Sequence, residues 1–479
     1  MLEQVLNREF ILNRLREVRR YLEMPNQELH PGRRDTAEPE PLNTRERDLL
    51  LEDVRKGEVE EDAQSTGQEG YDLPSGRRGG AQALPLSHAS FFSRSPVISN
   101  FQSAIEQYYE EQKPQQIETI SVGGRRRGQQ AVVATTDRRI SGLPPEITPS
   151  GQRRFLGAFE QTDVRWISAL AGEGLRLLKG KHRFNTNPAT AAPRPISNKA
   201  RLIVIGDWGT GLPRARTVAN EMARCIREGK DKNLEQHVIH LGDVYYSGWK
   251  REYRDRFLKY WPVTSGDKDK ISSWTLNGNH DMFAGGFGYY DVALQEERFK
   301  DWHKGSSFFS LANDEWVIFG LDTAYDDFDL RPPQADWVYS QINAPALSSK
   351  KVMLLSHHQL FSAYEHGGPK LASKLDRVLA TGRVRSWFWG HEHRCVLYHD
   401  FDKVTYGRCL GNGGVPVYMN HIEGEGYKEP AVYEYRKYID AGLELWALFG
   451  FAVLDFDGKN INVRYIDEFG NNFKSEMIA

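Results

Sequence analysis

Side chains that can bind metal ions follow a series of apolar runs between residues 206 and 393. They form five short motifs, which read Gly206-Asp207-Trp208-Gly209, Gly242-Asp243-Val244-Tyr245-Tyr246, Gly278-Asn279-His280-Asp281, Ser356-His357-His358 and Gly390-His391-Glu392-His393. Carboxylates, imidazoles and an amide suit borderline-hard ions such as Mn²⁺, Fe and Zn²⁺. Two such ions repel each other, and a bridging carboxylate can offset that repulsion. The set therefore predicts two metal ions, which lower the pKa of bound water and hold the oxygens of an in-line displacement.

Predicted strands bring these motifs together. The run RLIVIGD at 201–207 is typical of a strand buried on both faces, and similar runs occupy 237–243, 274–281, 306–312, 316–323, 350–358 and 384–392. In an open α/β sheet, ligands bind beyond the carboxyl ends of the strands. We therefore expect one shared pocket, which would contain Asp207, Asp243, Asn279, His357 and His391.

The same pattern predicts the fold class. Helices are expected after Pro213, over 333–344 and over 369–380, and strand–helix alternation is typical of a layered α/β core. The period changes near the end of the sequence, where 448–456 and 461–467 flank a turn and predict a β-hairpin that closes a second sheet.

Each motif alone has a commoner structural explanation. A Gly-Asp pair after a strand is usually a turn, and Asn-His-Asp is often a capped loop. Five motifs in one order, each at a predicted strand end, favour a functional site instead. No Gly-Lys-Ser/Thr phosphate loop follows Gly211, and no Gly-x-Ser-x-Gly elbow of a serine hydrolase occurs.

The order and spelling of the motifs resemble the calcineurin-like metallophosphoesterase superfamily, and more narrowly its purple acid phosphatase branch. The common first motif of the superfamily is Asp-x-His, but Gly209 stands at the third position here. The branch spells GDxG and GDxxY instead, which Asp207-Trp208-Gly209 and the pair Asp243 and Tyr246 match. The resemblance covers about residues 200–455 and implies a four-layer α/β/β/α sandwich.

The resemblance also implies a ligand set. The first metal ion would be held by Asp207, Asp243, Tyr246 and His393. The second would be held by Asp243, Asn279, His357 and His391, with Asp243 as the bridge. Two residues compete for these positions: His358 with His357, and Tyr245 with Tyr246. We favour His357, because the first histidine aligns with the family motif, and Tyr246, because its spacing matches.

Two further residues have implied catalytic roles. His280 would stabilise the developing charge or protonate the leaving oxygen, and Asp281 would orient the ring of His280. A metal-bound hydroxide would attack phosphorus, so no covalent phosphoenzyme is needed. The ions would be divalent or mixed-valence Mn, Fe or Zn; a tyrosinate–Fe(III) bond colours the branch, whereas a reducing compartment disfavours Fe(III).

Bulk composition limits the partners and the compartment. The 479 residues carry a net charge of -2, and this overall charge gives no reason to expect a polyanionic partner. Nucleic acid is therefore not expected except as a substrate. The three cysteines form no CxxC pair and are too scattered for a disulfide framework. No apolar run reaches membrane-spanning length, and the first residues lack the unbroken apolar stretch of a secretory signal. These features predict a cytoplasmic protein without a membrane span.

The domain prediction has four parts. Residues 1–23 are expected to form an amphipathic helix, and 24–184 a partly disordered extension with short helices. The Pro-rich stretch 185–199 is predicted to be a linker, followed by the metallophosphoesterase domain over 200–479. We interpret the N-terminal region as a means of self-association or of binding a protein partner.

These expectations combine into a functional hypothesis. The chain is predicted to be a dinuclear metal-dependent hydrolase of a phosphoester substrate, either a phosphatase or a phosphodiesterase. The alternative is a binding or scaffold protein that keeps the fold without turnover. Substrate identity does not follow from the sequence, because it depends on loops around the metal edge.

Overall fold

A computed structural model of the chain describes residues 8–23, 48, 50–59, 92–111, 146–147, 153–154, 180–419, 421, 424–440 and 445–479. The chain divides into two compact units, and the described residues of the larger one are 59, 92–100 and those from 180 onward. Most of the predicted extension over 24–184 lies outside the described residues. Among the helices that are described, none combines the length and apolar character needed to cross a membrane.

The strands are numbered in chain order. They are β1 Glu146–Ile147, β2 Arg153–Arg154, β3 Arg194–Pro195, β4 Ala200–Ile205, β5 Glu235–His240, β6 Ile271–Thr275, β7 Phe309–Ala312, β8 Trp316–Gly320, β9 Lys351–Ser356, β10 Val384–Trp389, β11 Cys395–Tyr398, β12 Tyr406–Leu410, β13 Ala431–Glu434, β14 Tyr438–Asp440, β15 Leu445–Ala447, β16 Gly450–Asp457, β17 Asn460–Asp467 and β18 Asn472–Ile478.

The helices are numbered in the same way. They are α1 Arg8–Glu23, α2 Pro96–Glu111, α3 Pro213–Asp231, α4 Lys250–Glu252, α5 Asn279–Phe283, α6 Lys300–His303, α7 Gln334–Asn343 and α8 Pro369–Leu379. Residues 50–59 are also helical. Shorter helical turns are Tyr253–Phe257, Leu258–Tyr260, Ser265–Asp267 and Tyr289–Ala293.

The smaller unit contains α1 and the helical residues 50–58. Ile11, Leu15 and Val18 are buried along one side of α1, as the spacing of its apolar residues predicts. Ion pairs join the two segments: Arg55 donates to Glu23 at 2.7 Å, and Arg19 contacts Glu58.

Two sheets form the core of the larger unit. Within the described residues, one sheet has the strand order β18-β17-β16-β4-β5-β6 and the other has the order β13-β11-β12-β10-β9-β8-β7-β3. The first sheet buries Ile203 and Ile205 against α3, whereas Leu202 and Val204 face the second sheet. On the far side of the second sheet, α7 and α8 pack their apolar faces. Helix, sheet, sheet and helix thus follow one another, and the layered α/β fold is confirmed.

Strand register explains how distant motifs meet. β4, β5 and β6 are parallel and aligned so that Ile205, His240 and Thr275 are lateral neighbours at their carboxyl ends. In the other sheet, β9 and β10 are parallel, with Ser356 beside Trp389. The five motifs leave the sheets within a few residues of these ends, so all of them emerge at one edge of the sandwich.

Two segments differ from their predicted arrangement. The stretch predicted as a linker is part of the larger unit: β3 pairs with β7, and Ala189 and Ile196 are buried. The hairpin β16–β17 extends the same sheet as β4, because β16 pairs antiparallel with β4. The apolar character of the hairpin predicted its strands, but the choice of sheet depends on a pairing between residues far apart in the chain.

Candidate metal centre

Two carboxylates and a phenol meet at the ends of β4 and β5. The hydroxyl oxygen of Tyr245 lies 3.0 Å from Oδ1 of Asp207 and 3.1 Å from Oδ2 of Asp243. Nε2 of His393 completes this group at 2.9 Å from the same hydroxyl and 3.4 Å from Oδ1 of Asp207. Because one hydroxyl proton cannot serve both carboxylates at once, the group has oxygen lone pairs left to bind a cation.

A second group lies on the other side of Asp243. Nε2 of His357 is 3.0 Å from Oδ1 of Asn279 and 3.4 Å from Oδ2 of Asp243. Nδ1 of His391 is 3.1 Å from the same Asn279 oxygen and 3.3 Å from Nε2 of His357. Asp243 is therefore shared by both groups, in the position that a bridging carboxylate requires.

Backbone contacts orient these side chains. Nδ1 of His357 is 3.0 Å from the carbonyl oxygen of Leu241, which turns Nε2 toward the cluster. The backbone N–H of His391 donates to Oδ2 of Asp207 at 2.7 Å. These bonds occupy the outward-facing atoms and leave the inward-facing ones for a ligand.

The turns that carry these side chains have unusual backbone angles. Positive φ values occur at Asp207 (55°), Asp243 (75°), His391 (70°) and His393 (51°). Residues other than glycine adopt this region uncommonly, and such strain concentrates at functional sites. The neighbouring glycines permit close packing, since a Cβ at Gly278 would lie 2.1 Å from Oδ1 of Asp243.

The hydroxyl of Tyr245, rather than that of Tyr246, lies among the carboxylates and the imidazole of this group. The ring of Tyr246 instead stacks on Phe92 with centroids 5.2 Å apart, and Arg256 lies over it at 4.7 Å. Its hydroxyl is buried and has no hydrogen-bond partner among the described residues. The sequence spacing predicted Tyr246 for this position, but the direction of two consecutive side chains depends on the turn after Asp243.

His280 and Asp281 both lie in the site, but they do not form the predicted pair. Nδ1 of His280 is 2.5 Å from the carbonyl oxygen of Tyr246, and its backbone N–H donates to Oδ1 of Asp243 at 2.9 Å. The carboxylate of Asp281 accepts hydrogen bonds from the N–H groups of Gly278, Asp243 and Val244 and from the hydroxyl of Tyr253. Asp281 thus joins the two loops that carry Asp243 and Asn279, and the carbonyl group of Tyr246 holds the ring of His280.

His358 lies at the margin of the cluster. Its Nδ1 is 3.0 Å from the carbonyl oxygen of Thr323, and its Nε2 is 3.3 Å from Oδ1 of Asp327. His357, His358 and His391 have ring nitrogens close enough to share an ion, as have Asp207, Asp243 and His357. Among the described residues, His357 is the one that occurs in both of these sets of three. This supports the choice of His357 over His358.

The charge balance of the site fits metal ions. The side chains of Asp207 and Asp243 are 0% and 1% exposed. In the described part of the chain, no lysine or arginine pairs with either carboxylate; their ion-pair partners are His393 and His357. Buried carboxylates require compensating positive charge. The surrounding groups are nitrogen and oxygen donors of the kind that Mn, Fe and Zn bind.

Attraction between Asp243 and the neighbouring imidazoles lowers the pKa of the carboxylate and raises the pKa of His357. Burial alone would raise the pKa of Asp243, but the imidazoles of His357 and His280 hold it well below its usual range. Burial alone would lower the pKa of His357, but the carboxylate of Asp243 raises it to about 9. Positive charge is therefore stabilised beside Asp243.

The nearby segment 92–94 was not identified from the sequence. The two terminal nitrogens of the Arg94 guanidinium, Nη1 and Nη2, donate to Glu365 at 2.9 and 3.0 Å, and Nη2 also donates to the carbonyl oxygen of His391 at 3.1 Å. These partners are 271 and 297 residues away in the chain, so no local pattern could indicate the contact.

One family model matches part of this chain. Residues 200–395 match the family model described as calcineurin-like phosphoesterase. The search of curated proteins gave no match.

Three solved structures illustrate the likeness. GAP50, the anchor in the inner membrane complex of Plasmodium, is 15% identical over 58% of this chain and 88% of its own, with a TM-score of 0.43. Purple acid phosphatase PPD1 from yellow lupin (Lupinus luteus) seeds is 15% identical over 61% of this chain and 55% of its own, with a TM-score of 0.44. A dimetal phosphatase from Danio rerio is 11% identical over 58% of this chain and 98% of its own, with a TM-score of 0.40. The family match and the motifs that lie within it show that residues 200–395 belong to the calcineurin-like phosphoesterase family.

Proposed function

We propose that this protein is a dinuclear metal-dependent phosphoester hydrolase. The main support is one arrangement: the buried carboxylates of Asp207 and Asp243 face imidazoles, an amide and a phenol, and no described lysine or arginine neutralises them. Such a set suits two transition metal ions, Mn, Fe or Zn. The aspartate-first motif without a histidine at Gly209, together with a phenol between the carboxylates, favours the purple acid phosphatase branch.

The proposed ligands fall into two sets that share Asp243. One ion would be held by Asp207, Asp243, Tyr245 and His393. The other would be held by Asp243, Asn279, His357 and His391. When bound, such a pair of ions activates water and stabilises charge on phosphate oxygens.

The remaining residues position and polarise the substrate. Nδ1 of His280 is fixed by the carbonyl oxygen of Tyr246, and its ring lies 4.5 Å from that of Tyr245, beside the ligands. His280 is therefore the proposed group that hydrogen-bonds the phosphoryl or leaving oxygen. Asp281 would act indirectly, because its carboxylate ties the Asp243 loop to the start of α5.

Metal content and turnover of Asp243→Asn test the proposal. Removing the shared carboxylate charge should reduce bound Mn²⁺ from about two ions per chain and abolish hydrolysis of an aryl phosphate. Asp467→Asn is a matched control, since that aspartate is equally buried but bonds Tyr435 and the turn after β17. The control should keep both metal and activity.

His280→Ala separates catalysis from metal binding. This variant should keep about two ions per chain and lose roughly 10²-fold or more in turnover, as expected for a general acid or charge-stabilising group. Loss of metal would mean that its role is misassigned. A wild-type protein with normal metal content but no activity on monoesters, diesters or nucleotides would instead support the scaffold alternative.

A further inference from the structure

Residues 92–100 lie across the metal centre, and we refer to them as the strap. They belong to the larger unit, although they precede its main sheets by about a hundred residues. Phe92 is 3% exposed; its ring stacks on Tyr246 at 5.2 Å and meets the edge of Tyr245 at 5.3 Å. The start of the strap is thus seated on the loop that follows Asp243.

The middle of the strap contacts the opposite side of the site. The guanidinium of Arg94 forms a bidentate ion pair with Glu365 and also donates to the carbonyl oxygen of His391. Side chains at this pair are 20% and 15% exposed, so the contact is partly shielded from water. Charge-assisted bonds with this planar geometry are both strong and directional.

The end of the strap reaches a third element of the site. Asn100 donates to the carbonyl oxygen of Phe283, at the end of the helix that begins with Asn279. Within the strap, the backbone N–H of Ser95 donates to Oγ of Ser93 at 3.0 Å, and the hydroxyl of Ser99 donates to the carbonyl oxygen of Ser93 at 2.5 Å. These bonds fold the segment into one compact unit.

Together, these contacts of the strap close the metal centre. The strap joins the loops that carry Asp243 and His391 and the helix that carries Asn279. With the strap in place, every proposed ligand is at most 8% exposed. A phosphoester has to approach the same inward-facing atoms, so a closed strap and a bound substrate compete for one space.

We propose that the strap gates the metal centre, with the Arg94–Glu365 ion pair as its latch. Opening the latch admits the phosphoester and permits exchange of the metal ions. The statement that the strap admits a phosphoester rests on the proposed hydrolase function. The movement of the strap itself can be measured without turnover.

The test uses the full chain loaded with Mn²⁺ and two latch variants. Release of Mn²⁺ to excess EDTA is timed for wild type, Arg94→Ala and Glu365→Gln, and hydrogen exchange of residues 92–100 is followed by mass spectrometry. We expect release to accelerate about tenfold in Arg94→Ala, which corresponds to about 1.4 kcal/mol. Glu365→Gln should change in the same direction, and exchange in the strap should rise in both.

Arg214→Ala provides a matched control. Its guanidinium also forms a two-pronged pair, with Glu468, and also donates to a backbone carbonyl, that of Ala447; its side chain is 26% exposed. This substitution should leave both Mn²⁺ release and strap exchange unchanged.

Three results would decide against the gate or separate it from the function. Unchanged release and exchange in both latch variants would overturn the proposal. Unchanged strap exchange with weaker binding of inorganic phosphate to Arg94→Ala would also overturn it, and would make Arg94 a phosphate-binding residue. If wild type binds no Mn²⁺, the proposed function fails. In that case hydrogen exchange tests the strap by itself: faster exchange of residues 92–100 in the latch variants would support a latched strap, and unchanged exchange would overturn it.

Discussion

The hydroxyl of Tyr245 lies 3.0 Å from Oδ1 of Asp207, although 38 residues separate them in the chain. The same hydroxyl is close to Asp243 and His393, so it occupies the centre of one proposed metal set. The hydroxyl of Tyr246, the next residue, has no hydrogen-bond partner among the described residues, whereas its carbonyl oxygen contacts Nδ1 of His280. The two tyrosines therefore offer a direct comparison within one loop.

Tyr245→Phe should weaken the first metal site. It removes a proposed ligand oxygen, and we expect metal affinity to fall by at least about tenfold to a hundredfold, the scale found when residues that only orient metal ligands are removed. In protein loaded with Fe(III), the visible tyrosinate absorption should disappear. Metal titration and absorption spectra measure both effects.

Tyr246→Phe is the matched control for that experiment. It removes a buried hydroxyl that has no partner among the described residues, so metal affinity and colour should not change. Loss of the absorption in this variant, with retention in Tyr245→Phe, would restore the arrangement expected from motif spacing.

Asp281→Ala should destabilise the fold around the site. The substitution leaves three backbone N–H groups and the Tyr253 hydroxyl without their acceptor in a buried region. Unpaired buried donors cost roughly 1–3 kcal/mol each before relaxation, so a loss of about 3 kcal/mol or more in the free energy of unfolding is expected. Urea unfolding of the metal-free protein measures it. An unchanged unfolding curve combined with slower turnover would support the predicted role in orienting His280 instead.

Features that depend on neighbouring residues could be predicted from the sequence, whereas features that depend on contacts between distant residues could not. Apolar runs such as RLIVIGD predicted strands correctly, because a strand buried on both faces needs continuous apolar residues. The common edge of Asp207, Asn279 and His391 followed from parallel strands. The choice between Tyr245 and Tyr246 did not follow, because it depends on the backbone of one turn. The contact of Arg94 with Glu365 was also inaccessible, since it forms only after the chain has folded.

Glu434 should make the stability of the protein sensitive to acid. Burial alone would raise its pKa, but a hydrogen bond with His421 and the charges of Arg394 and Arg436 outweigh it and hold the pKa at about 2. A folded-state pKa below the unfolded value of about 4.5 contributes stability at higher pH, and that stability is lost as pH falls toward 2. By pH 3 the loss should be about 2 kcal/mol.

Glu434→Gln isolates this contribution. The variant should be less stable than wild type at neutral pH, because Arg394 and Arg436 lose their charged partner. The difference in unfolding free energy should shrink as pH falls from 6 to 3. A difference that stays constant over this range would show that Glu434 does not titrate as expected.

The most direct test of the metal centre is a crystal structure of the Mn²⁺-loaded protein with anomalous scattering measured at the manganese edge. Two anomalous peaks should appear on either side of Asp243, one contacting Asp207, Tyr245 and His393 and the other contacting Asn279, His357 and His391. A map without peaks among these side chains, in a crystal of folded protein grown with Mn²⁺, would contradict the account.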